Sequence, residues 1–334
     1  MMIKTGLINH NRIWILLIAA LFCLFGLVLP LSSSVAAEEA DAPPASQDSP
    51  TEDDTSKPSQ NPADPNASEN EDDIFDLNPD SIVLINKAYS QIFTPELISK
   101  DGLVNYSTLK RKRWNVLDAE RELKELNPAI LMSLDREQRI AFWINTYNFC
   151  TIKLILDNYP IKPKWYMITY PDNSIMMITG AWEKQYFEIQ QLEYNLREIE
   201  QDFLLTRYKD PRMCFALSNA TLGGATLRNE PYQSEKLDDQ LDDQVERYLA
   251  TDKGMRLNKE DNILHLSNLF QTHEETFLAS KYADVKKFRD RKPSERAWLN
   301  FILPYLSEED VKYLDTYNPQ IKFIDFDWEL NEIE

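Results

Sequence analysis

Residues 136–158, REQRIAFWINTYNFCTIKLILDN, contain neither glycine nor proline and are apolar on nearly every face from Ile140 to Leu156. A surface helix keeps one polar face, whereas a helix that is apolar all round has to be enclosed by the rest of the chain. The stretch therefore predicts a long helix at the centre of a domain. It should stop at Tyr159, because the residue before Pro160 is pushed out of helical backbone. Asn145 and Asn148 lie three apart and share one side. Buried amides need partners, so they read as braces for a loop backbone crossing that side, with ligand contact as the alternative.

The loop they would brace is the second constraint. Residues 212–232, RMCFALSNATLGGATLRNEPY, hold two of the chain's seven glycines side by side, Gly223 and Gly224. Alternation of Met213, Phe215 and Leu217 predicts a strand running into this loop. Glycine admits positive φ and close approach of another backbone or a ligand, so a cleft is expected there, with a plain topological turn as the competing reading.

Around these two stretches the patterns predict helices over 80–93, 108–126 with Ser107 as cap, 190–203 with a Glu193–Arg197 pair, 237–250, 268–280, 294–305 and 307–314. Strands are expected at 165–170, 174–179 and 185–189, with a hairpin from 255–257 and 263–266. The fold class implied is α+β: a buried central helix packed on a small, mostly antiparallel sheet, with peripheral and C-terminal helices.

Upstream, Lys4 and Arg12 precede an uncharged apolar run over 13–31, and Val35-Ala36-Ala37 suits cleavage before Glu38. Residues 1–37 read as an export signal leading to the periplasm or outside, or, uncut, as an inner-membrane anchor through 13–31. Residues 38–79 are acidic, rich in proline and serine and poor in aliphatic bulk, the composition of a disordered linker. The globular domain is then 80–334. The chain's net charge is −19, and about −9 of it falls in that domain, which argues against nucleic acid as a partner. Only Cys150 and Cys214 follow the signal, and a buried free thiol is the expected state of Cys150.

Several ordered motifs resemble one family. Asp101-Gly102-Leu103-Val104-Asn105-Tyr106, Ala141-Phe142-Trp143-Ile144-Asn145-Thr146-Tyr147-Asn148, Leu192-Glu193-Tyr194, Leu196-Arg197, Phe215-Ala216-Leu217, Leu227-Arg228 and Phe326-Asp327-Trp328-Glu329-Leu330-Asn331 are similar to motifs of the domain of unknown function 547. The usual pattern of that family places histidines and cysteines around the central loop, which implies thiolate chemistry. Here Cys214 stands at the strand histidine, Asn219 at the first cysteine, Gly224-Ala225 at the Cys-Pro pair and Tyr194 at the helix histidine.

The resulting expectation is an exported, catalytically degenerate binding or scaffold domain. Its cleft would be lined or braced by Asn145, Asn148, Glu193, Arg197, Arg212, Asn219, Gly223, Gly224, Arg228 and Asn229. A peptide-like or carboxylate ligand would meet Arg197 or Arg228. The alternative is a divergent thiol hydrolase or transferase acting through Cys214, with Glu193 or His265 as base. His273 lies in a polar helical turn and reads as a structural or solvent-facing residue. The sequence carries no phosphate-binding glycine signature and no close metal-ligand spacing, so neither a cofactor nor a metal is expected.

Overall fold

The computed structural model describes residues 80–333; the expected signal or anchor and the linker lie outside the described residues. Helices α1 (Asp80–Ile92), α2 (Tyr106–Arg111), α3 (Arg113–Glu125) and α4 (Pro128–Ser133) lead into the long helix α5 (Arg136–Asn158). The α5 N-terminus is fixed by a reciprocal capping box, in which the Asp135 side chain accepts from the Gln138 amide while Gln138 accepts from the Asp135 amide. From Ile140 to Ile152 every residue of α5 is buried, so the all-round apolar pattern is explained by enclosure. Its closest neighbours are helical, chiefly α2, the segment 199–205 and the turn 234–236. The fold is α+β. The small sheets sit to the side: a hairpin, β1 (Tyr186–Ile189) with β2 (Leu192–Asn195), and a three-stranded sheet of β3 (Met255–Asn258), β4 (Ile263–Leu266) and β5 (Gln320–Phe323).

Four local expectations are overturned. The expected helix over 190–203 begins as β2, because Gln190 and Gln191 make a tight turn with φ of 55° and 61°. Such turns ordinarily use Asn-Gly, so Gln-Gln gives no signal in the sequence. Tertiary docking imposes it: the two amides donate to Leu123 O and Lys124 O at the end of α3, at 2.9 and 3.1 Å. Helix then follows over 196–208, with a π-helical insertion at Ile199–Leu205 whose Phe203 stacks on Trp143 of α5 at 4.3 Å. In place of the expected strand through Met213, Phe215 and Leu217 there is a 3₁₀ turn, Pro211–Phe215, and all three side chains are buried. Phe215 becomes the hub of an aromatic cluster with Tyr248, Phe270 and Phe301. The expected strands at 165–170 and 174–179 are turns and a 3₁₀ segment, Ile175–Met177. The helix expected over 268–280 is broken at His273 into α7 (Asn268–Thr272) and α8 (Glu274–Leu278).

Smaller shifts occur elsewhere. Asn105 replaces Ser107 as the cap of α2, and the chain breaks at Lys112 before α3. Helix α6 (Leu237–Leu249) matches its acidic amphipathic pattern, and α9 (Pro293–Ile302) and α10 (Glu308–Tyr317, capped by Ser307) complete the periphery. β5 is an unanticipated parallel partner of β4.

The last described residues form a strap across the 212–232 loop. Leu222 N donates to Glu329 O and Gly223 N to Asp327 O, both at 2.8 Å, and Asn331 N donates to Ala220 O at 3.2 Å. Asn331 also ties in the early motif: its side chain donates to Gly102 O at 3.0 Å and accepts from Tyr106 OH at 2.7 Å. Three motifs far apart in sequence are thus one hydrogen-bonded unit.

Candidate functional site

Asn148 and Asn145 fasten the loop to α5. Asn148 donates to Ala216 O at 2.9 Å and accepts from Ser218 N at 2.8 Å; Asn145 makes the same two-bond clasp on Tyr232, at 2.9 and 2.8 Å. Both amides are buried and wholly occupied by backbone, which is the bracing role. Gly223 and Gly224 have negative or extended φ; positive φ among described glycines is confined to Gly102 and Gly180. Close approach is what requires them. A Cβ on Gly223 would lie 2.5 Å from Asp327 N, and one on Gly224 would lie 2.0 Å from Asn219 Oδ1. From the other side Tyr248 OH donates to Gly223 O at 2.9 Å, and the Lys253 ammonium donates to Leu222 O and Gly224 O at 2.9 and 3.2 Å. Burial pulls the Lys253 pKa down to about 8.

Where the strap, the loop and the bulged helix meet, a cavity of about 330 Å³ opens, walled by Tyr147, Trp182, Phe326 and Trp328, with Arg197 and Asn219 at its edge. Its polar floor is Glu200, from the π-helical insertion, and His273, from the α7–α8 break; Glu200 Oε1 lies 3.5 Å from His273 Nδ1, and the side chains are only 14% and 11% exposed. Irregular backbone supplies both residues, which is why neither periodicity nor motif singled them out. π-insertions and strained residues recur at functional sites. Strain is present too, since Ala220, next to Asn219, has φ of 59° and is held there by the bond from Asn331.

Burial drives the two floor residues in opposite directions, each toward its neutral form. It pushes the Glu200 carboxyl up to about 7, with nearby Arg197 opposing, and pulls the His273 imidazole down to about 4. Tyr147 is raised well above the usual tyrosine range by burial and then by the Glu200 charge beside it. Of the two roles expected for His273, the solvent-facing one does not hold: the break in the helix turns it inward.

The remaining candidates lie elsewhere. Arg197 is at the cavity edge and engages Glu183 through Nε and Nη2 at 3.0 and 2.6 Å, and no i,i+4 pair with Glu193 forms because Glu193 sits exposed on β2. Arg212 is held by Asp210, Asp238 and Asp242. Arg228 is buried against Glu230 and Asp243 and, with Asn229, borders a separate and wider depression. Arg197 and Arg228 do not converge on one pocket, and both already hold carboxylates of the chain. His265 is half-buried on β4, opposite Arg256 and Lys322. Cys214 and Cys150 are buried free thiols. Burial, then the Glu200 and Asp210 charges, push the Cys214 thiol far above its ordinary pKa, the reverse of what a nucleophile needs. Among the described residues no three His, Cys, Asp or Glu side chains converge as a metal site.

Residues 131–249 match the family model described as protein of unknown function, DUF547. Over that segment the chain is similar to this family. The match spans α5, the bulged helix, the loop and α6, and so includes both braces, Glu200 and Asn219. Searches of curated proteins and of solved structures returned no match.

Proposed function

We propose that this DUF547 domain is the ligand-binding part of an exported protein, and that its ligand is a small molecule with an apolar or aromatic portion and a hydrogen-bonding head. The observation that carries the reading is the Glu200–His273 pair on the floor of an aromatic-walled cavity. Two titratable groups brought together from irregular backbone in one concave site are the usual mark of a binding or catalytic centre. Export rests on the sequence of residues 1–37. The thiol alternative finds no support in the geometry around Cys214, whose sulfur is enclosed and held protonated.

The test is a thermal-shift screen against short peptides, N-acyl amino acids and cell-wall fragments, repeated with Glu200→Gln, His273→Gln and Cys214→Ala. A ligand at about a hundred times its Kd adds roughly 2.7 kcal/mol of stability. The expected result is a shift retained by Cys214→Ala and lost or weakened in the two cavity variants. A shift abolished only by Cys214→Ala returns the thiol reading.

One observation favours a second reading, general acid–base hydrolysis without a covalent intermediate. Neighbouring groups pushed apart in pKa, a neutral base beside a protonated acid, are the arrangement by which a site divides acid and base roles. In that case a stabilising ligand would be recovered as product, and both Glu200→Gln and His273→Gln would bind it without turnover.

A further inference from the structure

Between Asn158 and Pro171 the sequence has no acidic residue, two lysines and a Trp165-Tyr166-Met167-Ile168 run, in a chain whose net charge is −19. The structure turns this run outward. Trp165 is 88% exposed, Ile168 87% and Tyr166 60%. The turn is nevertheless anchored at its base: Met167 N donates to Lys164 O at 2.9 Å, Lys164 N to Met177 Sδ at 3.4 Å, and Tyr170 packs edge-on against Trp328 at 5.6 Å. Other large exposed apolar side chains, such as Trp114 and Met132, lie on separate elements.

We propose that the 162–170 turn is a lipid-docking loop, which sinks Trp165, Tyr166 and Ile168 into the headgroup region of an anionic bilayer with Lys162 and Lys164 against the lipid phosphates. The tip offers on the order of 500 Å² from three side chains, below the roughly 800 Å² per partner of a stable protein interface. A deformable apolar–polar boundary suits such a tip. Trp and Tyr favour that boundary and lysines extend from it to anionic headgroups. The local charge is positive where the chain as a whole is negative, which favours this face toward such a surface. Residues 13–31, read either as an export signal or as an anchor, bring the chain to a membrane. Among the described residues no helix is long and apolar enough to cross one, so the loop makes a contact and not a span. Because Tyr170 packs on Trp328, which walls the Glu200–His273 cavity, docking would hold the cavity rim beside the lipid.

The test uses the full chain with Cys23→Ser, so that Ile168→Cys, at an exposed position, is the one reactive thiol; Cys150 and Cys214 are buried. A fluorophore at residue 168 is compared with one at Glu260→Cys, an exposed turn position, after incorporation into phosphatidylglycerol vesicles carrying a headgroup-region nitroxide lipid. The expected result is strong quenching at 168, little at 260, and a fall of about tenfold in the fraction quenched at 168 when Trp165→Ser removes the largest inserted group. Equal quenching at both positions, or no response to Trp165→Ser, overturns the proposal. So does shielding of the 168 label by concentrated protein without lipid, which would make the turn a contact between copies.

Discussion

Asn148→Ala is expected to be far more destabilising than its one side chain suggests. The wild-type amide is 3% exposed, and among the described residues its two bonds are the only ones made to Ala216 O and Ser218 N, both in buried residues. Alanine removes both bonds and strands a backbone carbonyl and a backbone amide where water does not reach. Stranding a buried polar group costs about 1–3 kcal/mol, so the two together are worth roughly 3 kcal/mol after partial relaxation. For a domain of this size that is a fall in Tm of roughly 6–12 °C. Thr151→Ala supplies the control: its hydroxyl donates to Tyr147 O one turn back in the same helix, at 3.0 Å, and losing it strands no backbone group. It should cost less than about 1 kcal/mol. Urea titrations of both variants decide the matter. If Asn148→Ala is no worse than Thr151→Ala, the clasp is not what holds the loop, and the bracing argument for this motif fails.

The cavity pair should declare itself in the pH dependence of stability. Glu200 has its folded pKa raised to about 7 from 4.5, so the folded state binds the extra proton and its contribution falls as pH rises from about 4.5 to 7. His273 has its folded pKa lowered to about 4 from 6.5, so its contribution rises from about pH 4 to 6.5. The two oppose each other in the wild type. Relative to it, Glu200→Gln should stabilise increasingly as pH rises through 4.5–7, and His273→Gln should stabilise increasingly as pH falls through 6.5–4; a shared loss near pH 6 in both would instead mean a buried ion pair. Gly223→Ala drives a Cβ into the strap backbone at Asp327 and should cost about 2 kcal/mol, with faster proteolysis around residue 326 as the readout. Cys214 and Cys150 should react with an alkylating reagent only at the rate of global unfolding; faster labelling of Cys214 in the native state would revive it as a nucleophile.

Much of the scaffold was legible because its instructions are local. The all-round apolar run of α5, the Pro160 stop and the paired Asn145 and Asn148 are each written within a few residues, and the structure uses them as expected. The glycine pair was legible as a place of close approach, although the approaching backbone is the Asp327 segment and φ stays outside the left-handed region.

The floor of the cavity was not legible. Glu200 reaches it through an inserted π turn and His273 through a helix break, and both are covered by a strap that arrives from residues 326–331. The Gln190-Gln191 turn likewise follows from carbonyls of α3 that no local pattern names. Sequence by itself determined which segments must be buried, where the long helix starts and stops, and which amides need partners, since periodicity, capping and proline act over one or two turns. Only the tertiary structure decided which titratable groups lose their water and which of them meet, because burial is a property of the chain's distant parts closing over a residue and not of the residue's neighbours in sequence.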